Sequence, residues 1–128
     1  INREVSIEEF RTIYDDDVVF KDPFNEVEGI RAVYAIFEHM YETLDNPRFI
    51  INEYVELEDT AYVNWDFIFT FKNTKNAISF EGVSRIQMNA EGKIILHVDF
   101  WDAAEHIYEK MPLLGSVLRF IKHKIARN

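Results

Sequence analysis

GKIILHVDFWD, residues 92–102, is the stretch whose reading decides the fold. It leaves a turn at Asn89-Ala90-Glu91-Gly92, alternates strongly, and ends in an Asp able to cap a helix. As a strand it puts Ile94, Leu96, Val98 and Phe100 on one face, and Ile95, His97, Asp99 and Trp101 on the other. A strand between sheet neighbours and helices rarely turns a carboxylate inward without a partner or a task, because an unpaired charge away from water is costly. Asp99 is therefore the first candidate for chemistry.

Three long strands are expected before it. Residues 48–57 form the first, with a turn at Glu58-Asp59. Residues 60–72 form the second, with Val63, Trp65, Phe67, Phe69 and Phe71 on one face and Tyr62, Asn64, Asp66, Ile68 and Thr70 on the other. Residues 77–88 form the third, after a turn at 73–76. Further upstream, Ser6-Ile7-Glu8-Glu9 reads as a capping box opening a short helix, with Ile7, Phe10 and Tyr14 toward the core and Asp15 to Asp17 at its solvated end. A short strand from Val18 to Asp22 stops at Pro23, with Val18, Phe20 and Asp22 sharing a face. From about Gly29, Ile30, Val33, Tyr34, Phe37, Met40, Tyr41 and Leu44 keep the helical period, which Asn46-Pro47 ends.

Beyond the opening stretch, Asp102-Ala103-Ala104-Glu105 signals a helix to about Met111, and Ser116 can cap a final one. That tail, 116–128, carries Arg119, Lys122, Lys124 and Arg127 and no acid, with Val117, Leu118, Phe120, Ile121 and Ile125 as its apolar side. It reads as a helix packed on its own domain, basic where helix ends favour cations. The sharper alternative is a lid that also makes weak contact with an anionic membrane surface. No linker, repeat or low-complexity tract divides the chain, so 1–128 reads as a single domain. Helices followed by an antiparallel meander give the α+β class.

The totals narrow the function. At 128 residues, 48% hydrophobic and 15% aromatic, the chain is rich in rings for covering a sheet or lining a cavity. A formal charge of -9 argues against nucleic acid, which needs a basic footprint. The absence of cysteine fits a reducing compartment, and a cytoplasmic location is the expectation. No apolar run approaches the roughly 18 residues of a membrane span. No stretch reads as a signal peptide, although the chain starts at Ile1 rather than Met, which leaves room for a piece upstream.

Curling four long strands around helices makes a cone with a mouth. Asp22, Asp66 and Asp99 each interrupt a locally apolar pattern. Carboxylates sharing one poorly solvated cavity cannot all stay ionised, and separated pKa values are what general acid–base work requires. Each Asp taken alone can equally point to solvent or pair with Arg48 or Arg85. His97 flanks Asp99 and can orient it or share its proton, though a satisfied core histidine is the commoner case. Phe20 and Trp101 read as pocket or core wall. The histidines lack metal-ligand spacing, and no P-loop, dinucleotide or nucleophile-elbow motif is present, so neither metal nor cofactor is expected.

The order of landmarks resembles the SnoaL-like branch of the nuclear transport factor 2-like superfamily. These landmarks are VVFKDPF, a Gly before a long helix, three long strands, GKI…DFWD and a Pro-Leu tail. The resemblance spans nearly the whole chain and implies a strongly curved antiparallel sheet wrapped around helices, forming a conical pocket. By similarity to limonene-epoxide hydrolase, Asp99 takes the place of the water-activating acid and Asp66 that of the proton donor. The arginine between those acids is matched by Asn64, and the groups that hold the water by Phe20 and Asp22. By similarity to ketosteroid isomerase, Asp22-Pro23 resembles the site of the base, and Ser84 stands near the oxyanion-hole acid.

Together these imply Asp99, Asp66 and Asp22 as catalytic residues, with Phe20, Tyr62, Asn64, Ser84, His97 and Trp101 contacting the ligand. The expected activity is a cofactor-independent hydrolase or isomerase acting on a small apolar molecule of terpene, steroid or polyketide type. A non-catalytic binding module and a protein-interaction domain with a plugged pocket stay open. With Asn64 and Asp66 facing the cone, the opposite row of rings would face outward and support a homodimer.

Overall fold

The Ser6 hydroxyl accepts a hydrogen bond from Glu9 N at 3.2 Å, so the capping signal opens helix α1 (Ile7–Ile13) where the sequence places it. The structure, a computed structural model, describes residues 6–72 and 74–102; the helices expected beyond Asp102 lie outside them. Strand β1 (Tyr14–Lys21) follows α1 at once, so Asp15 to Asp17 belong to a strand rather than to a helix end. They bulge from it, since Tyr14 pairs with Ile94 while Val19 already pairs with Leu96. After the short β2 (Glu26–Glu28), Gly29 starts helix α2 (Ile30–Thr43) at φ 96, a conformation in which a side chain is strained.

The meander consists of β3 (Leu44–Leu57), β4 (Thr60–Phe71), β5 (Ile78–Met88) and β6 (Ile94–Phe100). β3 begins earlier than expected. The chain passes Asn46-Pro47 by an irregularity between Asp45 and Arg48, with Asn46 at φ 49 and the proline sited where the ladder lacks a donor. The strand order is β2-β1-β6-β5-β4-β3 in one sheet that does not close. All its pairings are antiparallel except β1 with β6, which run parallel. The α+β class with a curved sheet against helices stands as the sequence implies.

Register fixes which face is inside. Trp65 pairs with Gly82, Phe67 with Phe80 and Phe69 with Ile78, and Trp65, Phe67, Phe69 and Phe80 are all buried. The expected faces of β4 are thus reversed: Tyr62, Asn64 and Asp66 lie on the outer side, and the ring row lies within. Tyr62 is exposed, Asn64 donates to Glu81, and Asp66 stands opposite Glu81 across the ladder. The cause is energetic. Burying each of these rings is worth about 1.5–3 kcal/mol, whereas an inward Asp66 costs free energy unless it is paired.

A second cluster, Phe10, Tyr14, Val18, Phe20, Val33 and Phe37 among others, seals α1 and α2 onto β1. In β6, Gln87 pairs with Leu96 and Met88 with Ile94, leaving Ile95 as the extra residue of a bulge. Ile94, His97 and Asp99 therefore all turn inward while Ile95 is exposed.

The face assignment yields the first expected result. Urea denaturation should show Trp65→Ala losing about 3–5 kcal/mol. Asp66→Asn should change stability by less than about 0.5 kcal/mol, or raise it slightly, since it relieves a like-charge pair. The opposite ranking would contradict this assignment and restore the faces expected from the sequence.

Candidate functional site

Between α1, α2 and the inner sheet face lies a cavity of about 250 Å³. Ile13, Phe37, Phe49, Ile51, Val63, Ile86 and Ile94 make most of its wall, and Tyr14, Trp65, Ser84, His97 and Asp99 complete it. Ser84 and Asp99 meet because they are register partners on β5 and β6, and Phe20 and His97 because they are partners on β1 and β6.

Hydrogen bonds link the polar residues in a definite direction. An indole N–H can only donate, so Trp65 Nε1 gives its proton to Ser84 Oγ at 2.8 Å. The serine hydroxyl then donates to Asp99 Oδ1 at 2.5 Å. His97 Nε2 lies 2.7 Å from the same Oδ1 and 3.3 Å from Ser84 Oγ. Toward a carboxylate it donates, and in the neutral imidazole this leaves Nδ1 as the acceptor for the Tyr14 hydroxyl at 2.9 Å. Burial, reinforced by the Asp99 charge, pushes the Tyr14 hydroxyl far above its ordinary range, so it keeps the proton it donates. The chain thus converges from both sides on one oxygen. Asp99 Oδ2 takes part in no hydrogen bond among the described residues.

Packing holds this arrangement. Phe20 packs edge-on to His97 at 5.1 Å between centroids, and Tyr14 stacks parallel to it at 6.0 Å. Gly82 lies under the indole, where a Cβ would collide with the six-membered ring of Trp65. The side chains of His97 and Asp99 are only 11% and 13% exposed.

Asp22 sits apart from the cavity. Its Oδ1 accepts from Phe24 N and Asn25 N in a turn, and Asn25 Nδ2 reaches both of its oxygens. Burial pushes its carboxyl up, these donors pull it down, and the charge of Asp99 pushes it up further, with a net rise from the ordinary 3.8. With Asp99 and Trp101 it lines a groove adjoining the cavity.

Of the expected site residues, the structure brings Ser84, His97 and Asp99 into the cavity. Phe20 braces His97 from the core, and Trp101 packs on Phe24 and Phe80 beside the groove. Asp66, Asn64 and Tyr62 are on the far face. Tyr14 and Trp65 escaped sequence reasoning as site residues, although Tyr14 shares the phase of Val18 and Phe20. No group of side chains suited to a metal occurs among the described residues.

Residues 3–97 match the family described as SnoaL-like domain. No curated protein matches the chain. Among solved structures, a hypothetical protein of ketosteroid isomerase-like fold from Catenulispora acidiphila, in complex with trimethylamine, is similar at 11% identity. That likeness has a TM-score of 0.68 and covers 75% of each chain. An NTF2-like protein of unknown function from Burkholderia pseudomallei shares 18% identity over 79% of this chain and 82% of its own, with a TM-score of 0.69. An LEH-like epoxide hydrolase from M. tuberculosis shares 16% over 90% of this chain and 83% of its own, with a TM-score of 0.66.

Two expected results follow from the site. Tyr14→Phe strands His97 Nδ1 in the core and should cost about 1–3 kcal/mol in urea denaturation. Asp22 has a raised folded-state pKa, so its stabilising contribution is complete below the ordinary carboxylate value and is lost as pH rises through the folded value. The melting temperature of Asp22→Asn relative to the unsubstituted chain should therefore climb as pH rises from about 4 toward neutrality; a flat or falling difference would contradict the assignment.

Proposed function

The chain belongs to the SnoaL-like domain family, and from that premise we propose that it binds a small, mostly apolar molecule and moves a proton on it. Asp99 is the base, and the reaction needs no cofactor. The observation that carries this is the asymmetry of Asp99: two donors hold Oδ1, while Oδ2 accepts no hydrogen bond among the described residues, in a carboxylate at the wall of an apolar cavity. Fixed donors on one oxygen orient the other and spare the site reorganisation during reaction.

On this reading Oδ2 removes a proton from the carbon between a carbonyl and a C=C bond, and the resulting dienolate takes the proton back at the far end of that double bond, which moves into conjugation with the carbonyl. Ser84 and His97 stabilise the carboxylate before and after, and Tyr14 holds the imidazole in the tautomer that faces Asp99. A single base suits such an isomerisation. Epoxide hydrolysis needs a second acid as well, and Asp66 lies on the outer face while Asp22 is engaged by its own turn. The family resemblance therefore supports the hydrolase variant less than the isomerase variant.

The same loss of a second acid favours one alternative, a binding module in which Asp99 only orients its ligand. Deuterium uptake separates the two. A panel of apolar cyclic ketones in D2O, followed by mass spectrometry, should show uptake beside the carbonyl of at least one member. Asp99→Asn should slow it by about 10²–10⁴-fold, with a melting temperature that is unchanged or higher. Binding without uptake would leave the module, and uptake unchanged in Asp99→Asn would remove Asp99 as the base.

A further inference from the structure

The row of rings expected to face a second copy is buried, and exposed apolar side chains gather elsewhere. Of the nine large apolar residues exposed among the described residues, five belong to β3: Ile50, Ile51, Tyr54, Val55 and Leu57. β3 is the terminal strand of the sheet, and every residue from Ile50 to Leu57 is exposed. Its free edge presents backbone N–H and C=O groups flanked by apolar side chains on both faces, which is a template for another strand.

The bulge in β3 decides which strand fits. Before it, Arg48 and Ile50 pair with Ile68 and Asp66 and point outward, while Phe49 and Ile51 pair with Phe67 and Trp65 and point inward. The ladder then skips Asn52, so that Tyr54 and Glu56 point inward and Val55 and Leu57 outward. The order of faces is thus the same read forward from Arg48 or backward from Leu57. A second copy of β3, antiparallel about a two-fold axis at Asn52-Glu53 and normal to the sheet, keeps every face in place. That register sets Ile50 opposite Val55 and Ile51 opposite Tyr54, apolar against apolar on both faces. Charge agrees with it. The turn end of the β3–β4 hairpin carries Glu53, Glu56, Glu58 and Asp59, whereas the other end carries Arg48, Lys72 and Lys75 against Asp45. The axis lays the acidic end of each copy beside the basic end of the other.

We propose that β3 pairs with β3 of a second copy, joining the two sheets edge to edge in a homodimer. The contact is isologous and closes on itself, because pairing consumes the edge that makes it. Ile51 also lines the cavity, so the pairing sets Tyr54 of the partner subunit beside a residue of the cavity wall.

The chain has no cysteine, which makes the register open to cross-linking. Directly opposed strand residues lie about 4.5–5.5 Å apart between Cα atoms, within disulfide range. Mild oxidation of the double variant Ile50→Cys/Val55→Cys should therefore give a covalent dimer. Neither single variant should, since its two copies would lie roughly 17 Å apart along the strands at about 3.3 Å per residue. Sedimentation velocity at about 100 µM should show the unsubstituted chain as a dimer. Val55→Lys should raise the dissociation constant about tenfold or more, and Phe100→Lys, on the outer face of β6, should leave it unchanged. These three side chains are exposed, so circular dichroism should show the fold intact in every variant. A monomer at that concentration would overturn the proposal. So would a dimer lost in Phe100→Lys but kept in Val55→Lys, a double variant that fails to cross-link, or single variants that cross-link equally well.

Discussion

A carboxylate placed inside an apolar sheet has to be supplied with donors, and the interior of this protein is arranged around that requirement. Asp99 Oδ1 receives Ser84 and His97. Each of those is fixed from behind, Ser84 by the Trp65 indole and His97 by the Tyr14 hydroxyl. The five residues come from β1, β4, β5 and β6, so the polar chain crosses four strands at the level where the cavity opens. A half-satisfied network in low dielectric would be worse than an apolar core. Every donor in it has an acceptor, from Tyr14 and Trp65 through to Asp99 Oδ1, and Asp99 Oδ2 is left as the acceptor with no partner among the described residues.

The fold reaches this arrangement through two local departures from regularity. The bulge at Ile95 lets both Ile94 and His97 point inward from one strand. Without it, either the hydrophobic seal under Tyr14 or the histidine would be lost. The second is Gly82, whose missing side chain leaves room for the indole that orients Ser84. Opposite these, the edge strand β3 leaves Ile51 and Tyr54 largely exposed, 55% and 62%. The ordered chemistry is therefore concentrated on the β1–β6–β5–β4 side of the sheet.

Much of this was legible in the sequence, because element type follows hydrophobic period and turn chemistry. The capping serine, the α2 period and the meander turns each declare themselves locally. Asp99 was legible too, as a carboxylate in an apolar phase. What could not be read was the face of β4. Both of its rows are plausible in isolation, and the resemblance to two-acid enzymes drew Asp66 inward. The packing of Trp65, Phe67 and Phe69 against Phe80 decides otherwise, and that is a non-local contact. Tyr14 was hidden for a similar reason. Its apolar phase accounts for its burial in the core beside Phe10, but the hydrogen bond to His97 joins residues 83 positions apart.

Everything claimed for the site depends on the direction of the hydrogen bonds through His97. Long-range proton–nitrogen correlation NMR of the imidazole reads that direction without substitution or ligand. The arrangement requires the ring with its proton on Nε2, toward Asp99, and with Nδ1 bare to accept from Tyr14. Observation of that tautomer would support the whole chain from Tyr14 to Asp99. A proton on Nδ1, with Nε2 bare, would reverse the Tyr14 bond, leave Asp99 without its histidine donor, and contradict the account.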